Sequence, residues 1–143
     1  MEELKKEGKR IAFTNGCFDI LHVGHIHSFR EAKKNGDILI VAVNSDNSVR
    51  SLKGPSRPFT PEDQRAAILA AVEEVDYVVI FDELDPLAII TDIRPHVLVK
   101  GEDWAEGAVI GQDVVESEGG KVIRVPLIQG ISTSRLIEKI RAR

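Results

Sequence analysis

Apolar residues fall into short unbroken runs, separated by longer stretches in which apolar positions recur at helical spacing. Residues 11–14 (Ile-Ala-Phe-Thr) predict a first strand, 38–43 (Ile-Leu-Ile-Val-Ala-Val) a second and 75–81 (Val-Asp-Tyr-Val-Val-Ile-Phe) a third. Residues 97–99 predict a short fourth strand and 122–125 a fifth. Runs of this kind, above all the second, lack polar alternation, as strands do in a parallel sheet covered on both faces. Helical patterns fill the gaps. Residues 23–34 carry Ile26, Phe29, Arg30 and Lys33 at helical spacing, with Gly36 as a stop. Thr60, Pro61, Glu62 and Asp63 open the next helix as a cap, a first-position proline and first-turn acids. Ala66, Ile68, Leu69 and Val72 continue it. Residues 86–93 predict a third helix, stopped before Pro95, and 109–118 a fourth, ended by Gly119 and Gly120. The last, 132–141, gathers Leu136, Ile137 and Ile140 on one face. Strands alternating with helices predict an α/β fold: a single doubly wound, Rossmann-like domain over residues 1–143 with a five-stranded parallel sheet. Residues 52–59, basic and broken by Gly and Pro, read as a surface loop.

Composition narrows the function. A chain of 143 residues supports one core without staples. The formal charge of −4 makes nucleic acid a poor partner, while a small anion needs only a local basic pocket. Cys17 is the lone cysteine, which excludes an intrachain disulfide and suits a reducing compartment. Residues 1–10 lack the apolar run of a signal peptide, and no run approaches the ~20 residues of a membrane span. A cytoplasmic protein without a membrane partner is expected.

In open α/β sheets, ligands sit beyond the carboxyl ends of the strands. The first such turn reads Asn15-Gly16-Cys17-Phe18-Asp19-Ile20-Leu21-His22-Val23-Gly24-His25. The chain has neither the G-x-G-x-x-G of dinucleotide sites nor the G-x-x-x-x-G-K-[ST] of P-loops. His22 and His25, three apart at a helix start, share a face, and free backbone N–H groups there add an anion site. Gly24 lets a ribose or phosphate lie against the backbone. Paired imidazole donors suit a phosphoryl group whose charge grows during displacement, with no covalent nucleophile required. The plain alternative is two unrelated surface histidines. A metal site from His22, His25 and His27 is poorly formed, because His27 points away from His25 on a helix. A second anion site is Gly130-Ile131-Ser132-Thr133-Ser134-Arg135 at the last helix start, whose plain alternative is a serine cap beside a surface arginine.

With Thr14 before it, the segment 15–25 resembles the His-x-Gly-His motif of the nucleotidyltransferase superfamily, and 130–135 resembles its Ile-Ser-Thr-Ser signature. Residues 44–54 resemble the nucleotide-loop region of the cytidylyltransferase-like branch, and Glu62-Asp63-Gln64-Arg65 its helix-start arginine motif. Residues 52–58, 97–101 and 130–135 are most similar to the adenylyltransferases of bacterial ADP-heptose synthesis, which act on D-glycero-β-D-manno-heptose 1-phosphate. The resemblance covers about residues 8–141. One departure is Glu102, where a second glycine is expected.

The resemblance implies that a sugar phosphate attacks the α-phosphorus of ATP and pyrophosphate leaves. His22, His25 and Lys53 are then the catalytic residues, with Lys53 a clamp on a mobile loop. Asn15, Gly16, Cys17, Phe18, Gly24 and Gly101 line the nucleotide, and Ser132, Thr133 and Ser134 hold its outer phosphates. Asp19, Arg65, Lys100 and Trp104 face the acceptor. Arg65 in a helix's first turn opposes the dipole, which suggests an anionic partner. Mg2+ is expected on the triphosphate, with no firm protein ligand set. Cys17 is not read as a nucleophile, and His27 and His96 are read as structural. The implied partners are ATP, a phosphorylated sugar supplied by a separate kinase, and a second copy in a homodimer. The alternatives are a glycerol 3-phosphate cytidylyltransferase, an FMN adenylyltransferase and, from another class, a non-catalytic nucleotide sensor.

Overall fold

The computed structural model describes residues 1–101, 109–126 and 128–143. Its strands are β1 (Ile11–Gly16), β2 (Ile38–Asn44), β3 (Tyr77–Phe81), β4 (Val97–Gly101) and β5 (Lys121–Val125). All pair in parallel, in the order β3-β2-β1-β4-β5. The helices are α1 (Glu2–Lys6), α2 (Val23–Lys34), α3 (Asp46–Lys53), α4 (Glu62–Ala70), α5 (Leu87–Ile93), α6 (Gln112–Ser117) and α7 (Thr133–Arg141). This is the Rossmann-like α/β architecture that the apolar runs predict.

Successive strand residues face opposite sides, and each side meets its own helices. Ala12, Leu39, Val41, Val43, Val97 and Val99 form one core with Phe29 and Ala32 of α2 and Leu69 of α4. Ile11, Phe13, Ile40, Ala42 and Leu98 form the other, with Ile90 of α5 and Val115 of α6. With both faces covered, a polar residue within β2 would be buried without a partner, which explains its unbroken apolar run.

Three local features depart from the periodicity. The predicted third strand loses its first two residues, because the Asp76 carboxylate accepts from Leu39 N and Lys33 Nζ instead of letting the segment join the ladder. The fourth predicted helix starts late, at Gln112, behind Gly111 at φ +90°. A Cβ on Gly111 would stand 2.7 Å from Ile90 Cδ1, so the close approach of α5 demands glycine. Helix α3 was not expected. It is capped by Ser45, whose Oγ accepts from Ser48 N, and ends at Gly54 with φ +102°. It buries Ser48 and Val49, and of its two apolar residues, Val49 and Leu52, the second is exposed, so few apolar positions mark it in the sequence.

The order of the sheet turns at β1 and β4, whose ladder consists of Ala12↔Val97 and Phe13↔Leu98 only. Beyond it side chains span the gap: Thr14 Oγ1 donates to Val99 O at 3.1 Å, and Lys100 Nζ donates to Asn15 Oδ1. The strands therefore splay at the topological switch point, where a doubly wound sheet opens its crevice. Among the described residues no helix is long and apolar enough to cross a membrane.

Phe29 is fully buried and also carries the ring of Phe18. Phe29→Ala should lower unfolding free energy by about 3–5 kcal/mol in denaturant titration; a loss under about 1 kcal/mol would show that this core does not support the crevice.

Candidate nucleotide site

The start of α2 closes on itself. His22 is its N-cap, in extended conformation, and its Nδ1 accepts from Gly24 N at 3.1 Å. His25 reaches back, its Nδ1 accepting from His22 N at 3.2 Å. This is the reciprocal logic of a capping box, built from imidazoles in place of Ser and Glu. The two rings stack with centroids 3.7 Å apart and planes 23° off parallel. A ring nitrogen that accepts an N–H carries no proton, so the neutral tautomer of each histidine is protonated on Nε2. Burial pushes both pKa values down, and for His25 the neighbouring His22 adds to it, bringing it to about 3. At neutral pH the site thus presents two uncharged Nε2–H donors of fixed orientation.

The neighbouring residues serve this pair. Phe18, at φ +48°, sets its ring edge-on to His25 at 5.1 Å and rests on Phe29 at 5.5 Å. A Cβ on Gly16 would come within 3.1 Å of that ring. A Cβ on Gly24 would stand 2.8 Å from His22 Cε1. Gly24 is therefore required by the imidazole itself, a reason beyond the open backbone expected of it.

The second predicted anion site comes to the first. Ser132 caps α7, its Oγ accepting from Arg135 N at 3.1 Å. Thr133 Oγ1 donates to Ile20 O at 3.1 Å, tying this helix start to the β1–α2 turn across 113 residues of chain. Ile131 Cγ2 lies 3.8 Å from where a Gly24 side chain would begin. Ser134 and Arg135 are exposed.

Asp19 and Arg65 are turned inward, unlike the substrate-facing groups expected. The Asp19 side chain is wholly buried; it accepts from Arg57 Nε at 2.6 Å, Phe59 N at 2.9 Å and Thr60 N at 2.9 Å. Burial alone would raise its pKa, but hydrogen bonds from Thr60, Arg57 and Phe59 outweigh that and hold it below the usual carboxylate value. Arg65 is 1% exposed. It donates to Thr60 O, to Cys17 O and Asn44 O, and to Asp46 Oδ1, at 2.6–2.8 Å. Its anionic partner is thus Asp46, with three neutral backbone carbonyls taking its other donors. The expected acceptor contact is corrected: Arg65 binds the turn after β1, the end of β2, the start of α3 and the loop before α4 into one unit.

The remaining expected residues are distributed around this frame. Lys53, expected on a mobile loop, is the exposed last residue of α3. Its charge, with those of Arg65 and Arg57, acts on the Cys17 thiol, which burial nonetheless raises above its usual pKa. Lys100 is buried at the end of β4 beside Asn15, and burial brings its pKa to about 8. Gly101 follows it at the mouth of the crevice. Trp104 and Glu102 lie outside the described residues. His96 is structural as expected, its Nδ1 accepting from Ile11 N at 2.9 Å. Two residues were missed: Arg57, read only as part of a basic loop, and Asp46, whose link to Arg65 spans 19 positions. Among the described residues no three His, Cys, Asp or Glu side chains gather as a metal site.

The Gly24 contact has a direct consequence. Gly24→Ala should push His22 off its N–H and lower turnover more than tenfold, since donor alignment carries rate, while the melting temperature changes little. Turnover within twofold of the parent would show that His22 is not held there.

The pattern of the Cytidylyltransferase-like family matches residues 13–139. The chain is 50% identical over 143 residues to the bifunctional protein HldE of Syntrophotalea carbinolica, covering 100% of this chain and 29% of that protein. It is 54% identical over 140 residues to the bifunctional protein HldE of Geobacter metallireducens, covering 98% and 29%. It thus spans under a third of the length of these curated relatives. Among solved structures, the lipopolysaccharide core biosynthesis protein of Thermoplasma volcanium is 30% identical with a TM-score of 0.68, over 85% of this chain and 98% of that one. The pantoate-beta-alanine ligase of Francisella tularensis, 17% identical with a TM-score of 0.58 over 96% and 73%, shares the fold. With the histidine pair and the last helix start joined at one crevice, the chain belongs to the cytidylyltransferase-like family of nucleotidyltransferases.

Proposed function

We propose that the chain transfers AMP from ATP to D-glycero-β-D-manno-heptose 1-phosphate, releasing pyrophosphate and forming ADP-heptose. The observation that carries the transfer chemistry is the stacked pair His22–His25, with both Nδ1 atoms fixed by backbone N–H groups. An oxygen of the sugar phosphate attacks the α-phosphorus. The bond from that phosphorus to the bridging oxygen breaks, and the electron pair leaves with pyrophosphate. Negative charge grows on the transferred phosphoryl oxygens and the leaving oxygen. Neutral Nε2–H donors meet that charge without requiring a proton to be lost or gained, and preorganised donors of this kind are the main source of rate in such displacements.

The outer phosphates of ATP lie at the start of α7, where Ser132, Thr133 and Ser134 begin the helix and its first N–H groups face an anion. Thr133 contributes its backbone there, since its hydroxyl is engaged with Ile20 O. Lys53 supplies positive charge from the end of α3. Mg2+ enters as the MgATP substrate; the buried carboxylate of Asp19 already accepts from three donors, Arg57 Nε, Phe59 N and Thr60 N, and is committed to the loop. The acceptor assignment is supported by the resemblance of residues 52–58, 97–101 and 130–135 to heptose adenylyltransferases. It agrees with relatives called bifunctional HldE and with a neighbour called a lipopolysaccharide core biosynthesis protein. A cytoplasmic setting and a homodimer complete the reading.

The test crosses ATP and CTP with heptose 1-phosphate, glycerol 3-phosphate and FMN, reading pyrophosphate release. ATP with heptose 1-phosphate should turn over fastest. Faster release from CTP with glycerol 3-phosphate, or from ATP with FMN, would reassign the substrates; ATP binding without release from any pair would make the chain a sensor. His25→Ala should lower kcat by about a hundred- to a thousand-fold with the active pair, the cost of one lost transition-state donor. Near-normal turnover would remove His25 from the reaction.

A further inference from the structure

Arg57 has no part in the assignments above. It lies between α3 and α4, with its side chain only 13% exposed. Its Nε donates to Asp19 Oδ2 at 2.6 Å, and its guanidinium carbon stands 5.5 Å from the centre of the Phe59 ring. Asp19 accepts from Phe59 N and Thr60 N as well, so the carboxylate fixes both the guanidinium and the backbone that carries it. The position is at the crevice: Asp19 belongs to the same turn as His22, and the charge of Arg57 acts on the Cys17 thiol together with those of Lys53 and Arg65.

The three cations around this turn differ in what their donors do. Arg65 uses its nitrogens on four protein acceptors. Lys53 is an exposed, flexible point charge. Arg57 uses Nε on Asp19, and among the described residues its two terminal nitrogens donate to no acceptor. A guanidinium oriented through Nε by a carboxylate keeps its far edge for a second partner, and that planar edge matches two phosphoryl oxygens. Holding a long side chain nearly buried costs rotamer freedom, and doing so here gives the fork one direction before a ligand arrives.

We propose that Arg57, oriented by Asp19, grips the phosphoryl group of a substrate with its two terminal nitrogens. The inference rests on the reading of the site as a nucleotidyltransferase and adds a residue to it. Asp19 acts through Arg57 as a positioning residue.

The experiment compares R57Q and R57K with the parent, measuring kcat, the KM of ATP, the KM of heptose 1-phosphate, melting temperature, and calorimetric binding of each substrate separately. A charge-assisted bond lost from one phosphoryl group should raise the KM of that substrate at least about tenfold and leave the other within about twofold. The two KM arms tell the acceptor phosphate from the triphosphate. R57K should recover only part of the loss, because it keeps the charge without the fork. Both KM values within about twofold of the parent, or both raised alike with a lowered melting temperature, would overturn the proposal. Should R57Q fail to fold, R57K is judged by the same split. A parent that turns over normally beside an unaffected R57Q refutes the role of Arg57 and leaves the proposed function standing. A parent without turnover whose substrate binding is lost in R57Q does the reverse. A parent that binds neither substrate refutes both.

Discussion

Two backbone N–H groups at the start of α2, those of His22 and Gly24, decide which nitrogen of each imidazole carries its proton. Most of the site follows from that constraint. Because each N–H needs an acceptor, both rings give Nδ1 to the helix and keep Nε2–H for a ligand. Because both rings turn the same way, they stack, and a second positive charge on the pair would be unfavourable at 3.7 Å. Burial, to which Phe18 contributes at His25, then favours the neutral form of both rings, so that the donors are ready at neutral pH without a protonation step. The two glycines of the turn follow from the same packing: one makes room for Phe18, the other for His22.

Buried charges hold the described rim of the crevice together. Removing a carboxylate and a guanidinium from water is expensive unless each is fully bonded. Asp19 and Arg65 meet that condition, and among the described residues no buried side-chain nitrogen or oxygen is left without a partner. The effect is that segments distant in sequence arrive at the end of the sheet already in place. The loop before α4 hangs from Asp19, the ends of β1 and β2 are joined through Arg65, and α7 is fastened by Thr133 to Ile20.

Much of this was legible in the chain. The parallel sheet follows from apolar runs that only two-sided burial explains, and the histidine pair follows from a spacing of three at a helix start. What could not be read depends on partners far away. An arginine in the first turn of a helix looks misplaced beside the dipole, and nothing local shows that Cys17 and Asn44 await it 48 and 21 residues back. Asp19 reads as an acceptor-facing residue, and nothing local shows that Phe59 and Thr60 fold over it from 40 and 41 positions away. Helix α3 is hard to read for a different reason: it is only eight residues long and holds two apolar side chains, Val49 and Leu52, of which Leu52 is exposed, so its start is marked chiefly by the Ser45 cap.

The central claim, that His22 and His25 stand as neutral Nε2–H donors fixed by the helix start, is tested most directly by long-range proton–nitrogen NMR of imidazole-labelled protein across a pH titration. The account predicts that both rings hold the Nε2–H tautomer at pH 7 and that His25 stays neutral down to about pH 4, far below the ordinary 6.5. A His25 that titrates near 6.5, or a proton on Nδ1 of either ring, would contradict it.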